Sequence, residues 1–163
     1  MTATITDIMA VHNELDSIFL EHQRALLRMD HAMAVRELDR YEVGLIRHMQ
    51  DEERILIPLY TERCDFPAVG APKLYLDEHE KLRAHITVLK DATADIANAS
   101  DVEPAVLRLL GHEAFYLRLS SHHDKREGEY LYPLLDAALS DTERHELLER
   151  VWRGSGHGKT ANT

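Results

Sequence analysis

The segments YEVGLIRHMQDEERILIP at 41–58 and YLRLSSHHDKREGEYLYP at 116–133 carry Tyr, His, Glu and Pro at identical intervals of seven, four and six residues. Between these positions apolar residues recur in steps of three and four, the spacing that keeps one face of an α-helix toward a core. Each segment therefore reads as a helix with histidine and glutamate on its inward row. One row is Leu38, Tyr41, Leu45, His48, Glu52, Ile55 and Leu59, and the other is Leu109, Glu113, Tyr116, Ser120, His123, Glu127, Tyr130 and Leu134. Pro58 and Pro133 are expected to kink or end these helices, because a proline ring opposes the carbonyl four residues earlier.

Two further rows of the same kind flank them. Ile8, His12, Leu15, Phe19, His22, Leu26 and Met29 make one, with Thr6 or Asp7 as its cap; Tyr75, His79, Leu82, Ile86, Leu89, Thr93 and Ile96 make the other. Asp30 starts the second helix, and the stretch from Cys64 to Pro72, with two prolines and a glycine, reads as a connecting loop. Ser100 with Glu103, and Ser140 with Glu143, have capping-box spacing. The second box opens a shorter fifth helix whose Leu147, Leu148, Val151 and Trp152 are suited to lie against the others. The expected architecture is all-α, a four-helix bundle over 1–153 with a short additional C-terminal helix and a disordered tail over 154–163.

Composition narrows the partners. Of 163 residues, 29 are Asp or Glu against 19 Lys or Arg, a net charge of -10 that repels phosphate backbones and anionic lipid, so neither nucleic acid nor membrane is expected. No apolar run is long enough to span a bilayer, and the start shows no basic region followed by an apolar one. A lone cysteine, Cys64, excludes an internal disulfide and a Cys-ligated cluster, and cytoplasm is the expected compartment.

The 11 histidines are the anomaly, and depth along the helices sorts them. His12 to Met29 and His31 to His48 are each 17 residues, so His12 and His48 lie at one height, roughly 25 Å from the turn between them. His79 to Asn98 spans 19 residues and Asp101 to His123 spans 22, a mismatch of about 4 to 5 Å that loop geometry absorbs. A lone histidine on an apolar row usually satisfies itself on a backbone carbonyl. Here four recur at one level, with Glu52 and Glu127 one turn beyond His48 and His123 on the same faces. Two bare carboxylates in an apolar bundle are costly, and cations offset that cost. Two facing carboxylates can bridge a pair of cations while two histidines cap each side, which makes His12, His48, Glu52, His79, His123 and Glu127 the expected metal ligands. His22 lies about 15 Å from His12 and is assigned to the core, and His122 breaks the repeat that His123 obeys. Tyr75, one turn before His79, is open to packing or to a phenolic role; Tyr41 and Tyr116 read as core aromatics, and Cys64 as a loop thiol.

With those residues in view, the sequence resembles the hemerythrin-like, HHE cation-binding family over roughly residues 7–139. The carriers are His12, His48-Met49-Gln50-Asp51-Glu52, His79 and His123-Asp124-Lys125-Arg126-Glu127. The resemblance implies an up-down-up-down bundle and a non-haem centre of two iron ions, oxo- or hydroxo-bridged, with Glu52 and Glu127 as bridging carboxylates. It also implies a small diatomic or peroxide ligand, and oxidoreductase chemistry on oxygen, hydrogen peroxide or nitric oxide, catalase- or peroxidase-like. A non-catalytic oxygen or iron sensor is the alternative. Oxygen carriers of the family have a fifth histidine four residues from the third-helix ligand, where this chain has Tyr75 or Arg83. The rival ferritin-like pattern, Glu-x-x-His, is absent from the sequence.

Overall fold

A computed structural model describes residues 4–155, the side chains of 152–155 excepted. It is all-helical, with no strand among the described residues. Four long helices form a bundle: α1 (Met9–Leu27), α2 (His31–Asp51) with its continuation α3 (Ile57–Arg63), α4 (Pro72–Asp95), and α5 (Val102–Arg126) with its continuation α6 (Tyr132–Ala138). α1 packs on α2, α2 on α4, α4 on α5 and α5 on α1, which closes the ring of neighbours. The last helix, α7 (Asp141–Ser155), lies against α2 and buries Leu147, Leu148 and Val151. Trp152, expected beside them, has its side chain outside the described residues, as does the remainder of the expected tail over 156–163.

The turn between α1 and α2 shows how local chemistry sets an end. Met29 adopts φ 58°, the left-handed conformation that closes a helix, while Asp30 N–H returns to the Ala25 carbonyl and Met29 N–H to that of Leu26. That geometry turns Met29 out to solvent, 45% exposed, so the inward row of α1 ends at Leu26 and not at Met29 as expected. The Asp30 side chain then accepts the Met33 N–H and starts α2.

Three expectations about helix starts have different outcomes. A 3-10 turn over Ile5–Ile8 precedes α1, and its cap is Thr4, whose N–H donates to Asp7 Oδ2 at 2.7 Å; Asp7 closes the turn and neither it nor Thr6 is the cap. The Ser100–Glu103 box does not form. Asp101 takes the cap position without a side-chain cap bond, because the third helical residue is then Pro104, which has no N–H to donate. The Ser140–Glu143 box does form, with Ser140 N–H and Oγ both 2.8 Å from Glu143 Oε2.

The two prolines do not break the chain. Glu52–Leu56 and Glu127–Leu131 are π-helical turns, and Pro58 and Pro133 follow as the second residues of α3 and α6. Widening the turn lets the helix pass a residue that can neither donate to nor sit beneath its i−4 carbonyl. The extra residue advances the inward row by one position. Leu56 and Tyr60 are buried where Ile55 and Leu59 were expected, and Leu131 and Leu135 where Tyr130 and Leu134 were expected.

The core accordingly has two parts. The main apolar cluster runs along α1, α2, α4 and α5, from Leu15 to Tyr116. A second, made by Ile5, Ile8, Leu56, Ile57, Tyr60, Tyr75, Leu131, Tyr132, Leu135 and the inward residues of α7, closes the end of the bundle beyond the histidines. Asp136 on α6 ties the N-terminal turn into it, accepting the N–H groups of Ile5 at 2.6 Å and Thr6 at 3.1 Å.

Candidate metal centre

Between the two apolar clusters the six expected residues meet. His12 comes from α1, His48 from the last turn of α2, His79 from α4 and His123 from the last turn of α5; Glu52 and Glu127 are the first residues of the two widened turns. All six are buried, both glutamates at 0% exposure.

The imidazoles form two pairs. His12 and His48 stand edge to face with their Nε2 atoms 2.7 Å apart, and His79 and His123 stand edge to face with ring centroids 4.8 Å apart. Each glutamate spans the gap between the pairs. Glu127 has Oε2 3.2 Å from His12 Nε2 and Oε1 2.8 Å from His123 Nε2, and Glu52 Oε2 lies 3.5 Å from His48 Nε2 and 3.3 Å from His79 Nε2. Grouped by distance, Glu52, His79, His123 and Glu127 form one set with ligand atoms within 4.8 Å of one another, and His12, His48 and Glu127 form another.

The outer nitrogens are oriented by carboxylates that the sequence reading did not single out. His79 Nδ1 lies 2.9 Å from Glu53 Oε1, which Arg83 holds at 2.8 Å. His123 Nδ1 lies 3.1 Å from Glu78 Oε2, and Arg126 holds Glu78 at 3.0 Å while also donating to the Val69 carbonyl. A carboxylate on Nδ1–H sets the tautomer and turns the Nε2 lone pair inward. Asp124 stands 3.6 Å from His12 Nδ1 on the same principle, at greater distance.

A second omission is Tyr132. Its hydroxyl donates to Glu52 Oε1 at 2.6 Å and lies 3.1 Å from Glu127 Oε2 and 3.5 Å from His12 Nε2. The proline six residues after each glutamate was the available signal: a helix that continues past it must widen, and the residue before the proline then rotates inward. Tyr75, at the expected position one turn before His79, is fully buried in the second apolar cluster, and among the described residues its hydroxyl has no hydrogen-bond partner.

His22 is buried in the main core, bonded to the Ala34 carbonyl at 2.8 Å and to the buried Glu113 at 2.7 Å. His122, His112 and His145 are exposed, whereas His31 and His85 are half-buried; His157 lies outside the described residues. Tyr41 and Tyr116 pair through their hydroxyls at 2.8 Å in the core, and Cys64 is a half-buried loop thiol.

The electrostatics of the cluster call for positive charge. Burial alone would depress His12 and His79, but Glu127 overrides it at both, with Asp124 and Glu52 adding at His12 and Glu52 at His79, and both imidazoles rise to about 9. Burial pushes Glu127 upward, yet His123, His12 and His79 hold it well below the usual carboxylate range. His48 alone is lowered, by burial. Among the described residues, Glu52 Oε2, Glu127 Oε1 and the Nε2 atoms of His79 and His123 are buried without a hydrogen-bond partner of good geometry, and all belong to the inward-facing set. Lone pairs turned toward a common interior and two carboxyl groups at 0% exposure fit a cation better than they fit a hydrogen-bond network. The chemical class is thus an all-helical bundle with a buried His/Glu cluster able to hold metal. Comparison of the chain with family models, curated proteins and solved structures gives no match.

Proposed function

We propose that this chain is a hemerythrin-like, up-down-up-down four-helix bundle. In this reading four histidines and two bridging glutamates hold two iron ions that bind or reduce a small oxidant: oxygen, hydrogen peroxide or nitric oxide. The observation that carries the reading is the position of Glu127, fully buried, with one oxygen directed at His12 and the other at His123, so that a single carboxylate joins the two histidine pairs. Oxygen and nitrogen donors in this proportion suit first-row metals generally; iron is the choice that adds redox chemistry and agrees with the resemblance.

Two ferrous ions held by these six residues would supply the pair of electrons that reduction of peroxide to water consumes. The chain supplies the rest. Glu53 and Glu78 keep the imidazoles of His79 and His123 oriented, and the two apolar clusters restrict water. A narrow cavity lined by His12, Tyr41, His48, Ser120, His123 and Asp124, with room for about one water-sized molecule, adjoins the cluster. Asp124, whose carboxyl burial pushes up to about 6, stands on that cavity and can hold a proton beside His12. Among the described residues no helix is long and apolar enough to cross a membrane.

Anaerobic titration of the chelated protein with ferrous iron tests the reading. Uptake of close to two ions per chain, followed by a spectral change on adding oxygen or peroxide, is expected. Glu52→Gln with Glu127→Gln should abolish uptake, and iron content unchanged by that double substitution refutes the proposal. Sustained peroxide turnover separates the catalytic reading from the sensor reading, in which iron stabilises the fold without turnover.

A further inference from the structure

The two donor sets are unequal. One side has four residues, Glu52, His79, His123 and Glu127, and the other has three, His12, His48 and Glu127. The Tyr132 oxygen, 2.6 Å from Glu52 Oε1, also reaches the three-residue side. It is 3.1 Å from Glu127 Oε2, the oxygen that faces His12, and 3.5 Å from His12 Nε2 itself. Donors that share a first-row ion, each about 2.0–2.2 Å from it, lie roughly 3 Å from one another. The spacings 2.7 Å for His12 to His48, 3.2 Å for His12 to Glu127 and 3.1 Å for Glu127 to Tyr132 have that pattern.

The fold fixes the phenol in this place. Tyr132 opens α6, directly after the π turn Glu127–Leu131, and is fully buried against Ile5, Ile8 and Leu135 of the second apolar cluster. Without the widened turn the residue five positions after Glu127 would lie well away from the glutamate's own face, by roughly 140° at 100° per residue. The pseudo-equivalent position after Glu52 is Ile57, which offers no donor, so the feature belongs to one half only.

We propose that Tyr132 is a further protein ligand on the His12–His48 side, beside the bridging glutamates, binding ferric iron directly through its phenolic oxygen. The proposal rests on the di-iron reading above and deepens it. On ligation the O–H bond breaks as the oxygen–iron bond forms; no electron is transferred, and the proton leaves to solvent. The phenolate adds a negative charge, and Tyr75, set back beside Tyr60, stays outside the shell.

The test uses the full chain, loaded with ferrous iron and oxidised in air, with iron measured by elemental analysis. The wild type should show the visible phenolate-to-iron charge-transfer band, and excitation into it should enhance tyrosine ring modes in the resonance Raman spectrum that shift when ring-deuterated tyrosine is incorporated. Tyr132→Phe should lose the band and keep at least one iron per chain, whereas Tyr75→Phe should keep both. Iron taken up by the wild type with no such band overturns the proposal alone, as does a band abolished by Tyr75→Phe and not by Tyr132→Phe. A wild type that takes up no iron overturns it together with the reading beneath it. Because the Raman result is read on the wild type, the conclusion does not depend on Tyr132→Phe folding.

Discussion

Raising the pH of the metal-free protein should loosen it, and loading it with a cation should abolish that effect. His12 and His79 are raised from 6.5 to about 9, so each contributes stability that is fully present below pH 6.5 and is lost as the pH climbs through 9. At about 1.4 kcal/mol per pH unit the shift corresponds to roughly 3 kcal/mol for one imidazole. Both lean on Glu127, so their contributions do not add, and about 3 kcal/mol serves for the pair. For a chain of this length that is a fall of roughly 6–12 °C in Tm between pH 6.5 and 9.5. His48, held neutral by burial, and Glu127, held ionised by its histidines, act on the acid side of that window. Metal ligation removes the same protons, so the loaded protein should melt at a nearly constant temperature over the range. Thermal denaturation followed by circular dichroism, with and without chelator, measures both curves. A chelated protein whose Tm is flat from pH 6.5 to 9.5, or a loaded one that declines in parallel with it, refutes the reasoning.

Other perturbations separate the parts of the molecule. His123→Ala should strip iron, while His122→Ala, on the exposed face, should leave iron content unchanged by elemental analysis. Glu78→Gln removes the carboxylate from His123 Nδ1 and should weaken iron binding by about 10–100-fold in a competition titration, with the fold retained. Glu113→Leu leaves the Nε2 of buried His22 without its carboxyl partner and should cost about 1–3 kcal/mol in urea denaturation while leaving the iron stoichiometry of the folded protein intact. Ser140→Ala removes the cap of α7 and should cost about 1 kcal/mol in the same assay.

The six residues at the cluster were legible because three independent regularities agreed on them: an apolar row, a repeat and a common depth. Depth alone would have passed over Tyr132, and the row argument excluded it, since a constant helical period puts Tyr130 and Leu134 inside. What the period could not carry was the local change of period at each proline. Glu53, Glu78 and Asp124 were hidden for a different reason. Each is adjacent in sequence to a cluster residue, so each sits at the edge of its helix face, and only the position of the neighbouring helix decides whether it turns in to meet a histidine. The cap at Thr4 and the unformed box at Ser100 show the same dependence on register at single-residue scale.

The matching wide turns at Glu52 and Glu127 have a consequence for how the chain tolerates change in length. Each adds one step of roughly 100° to everything that follows it. Because both strides are lengthened alike, α3 and α6 stay in phase with each other and present Tyr60 and Leu135 to a common lid. Deleting one residue from 53–56 would swing α3 outward while α6 stayed put, unsealing the cluster without touching any of its six residues. The two halves can therefore gain or lose a residue only in tandem if α3 and α6 are to stay in phase.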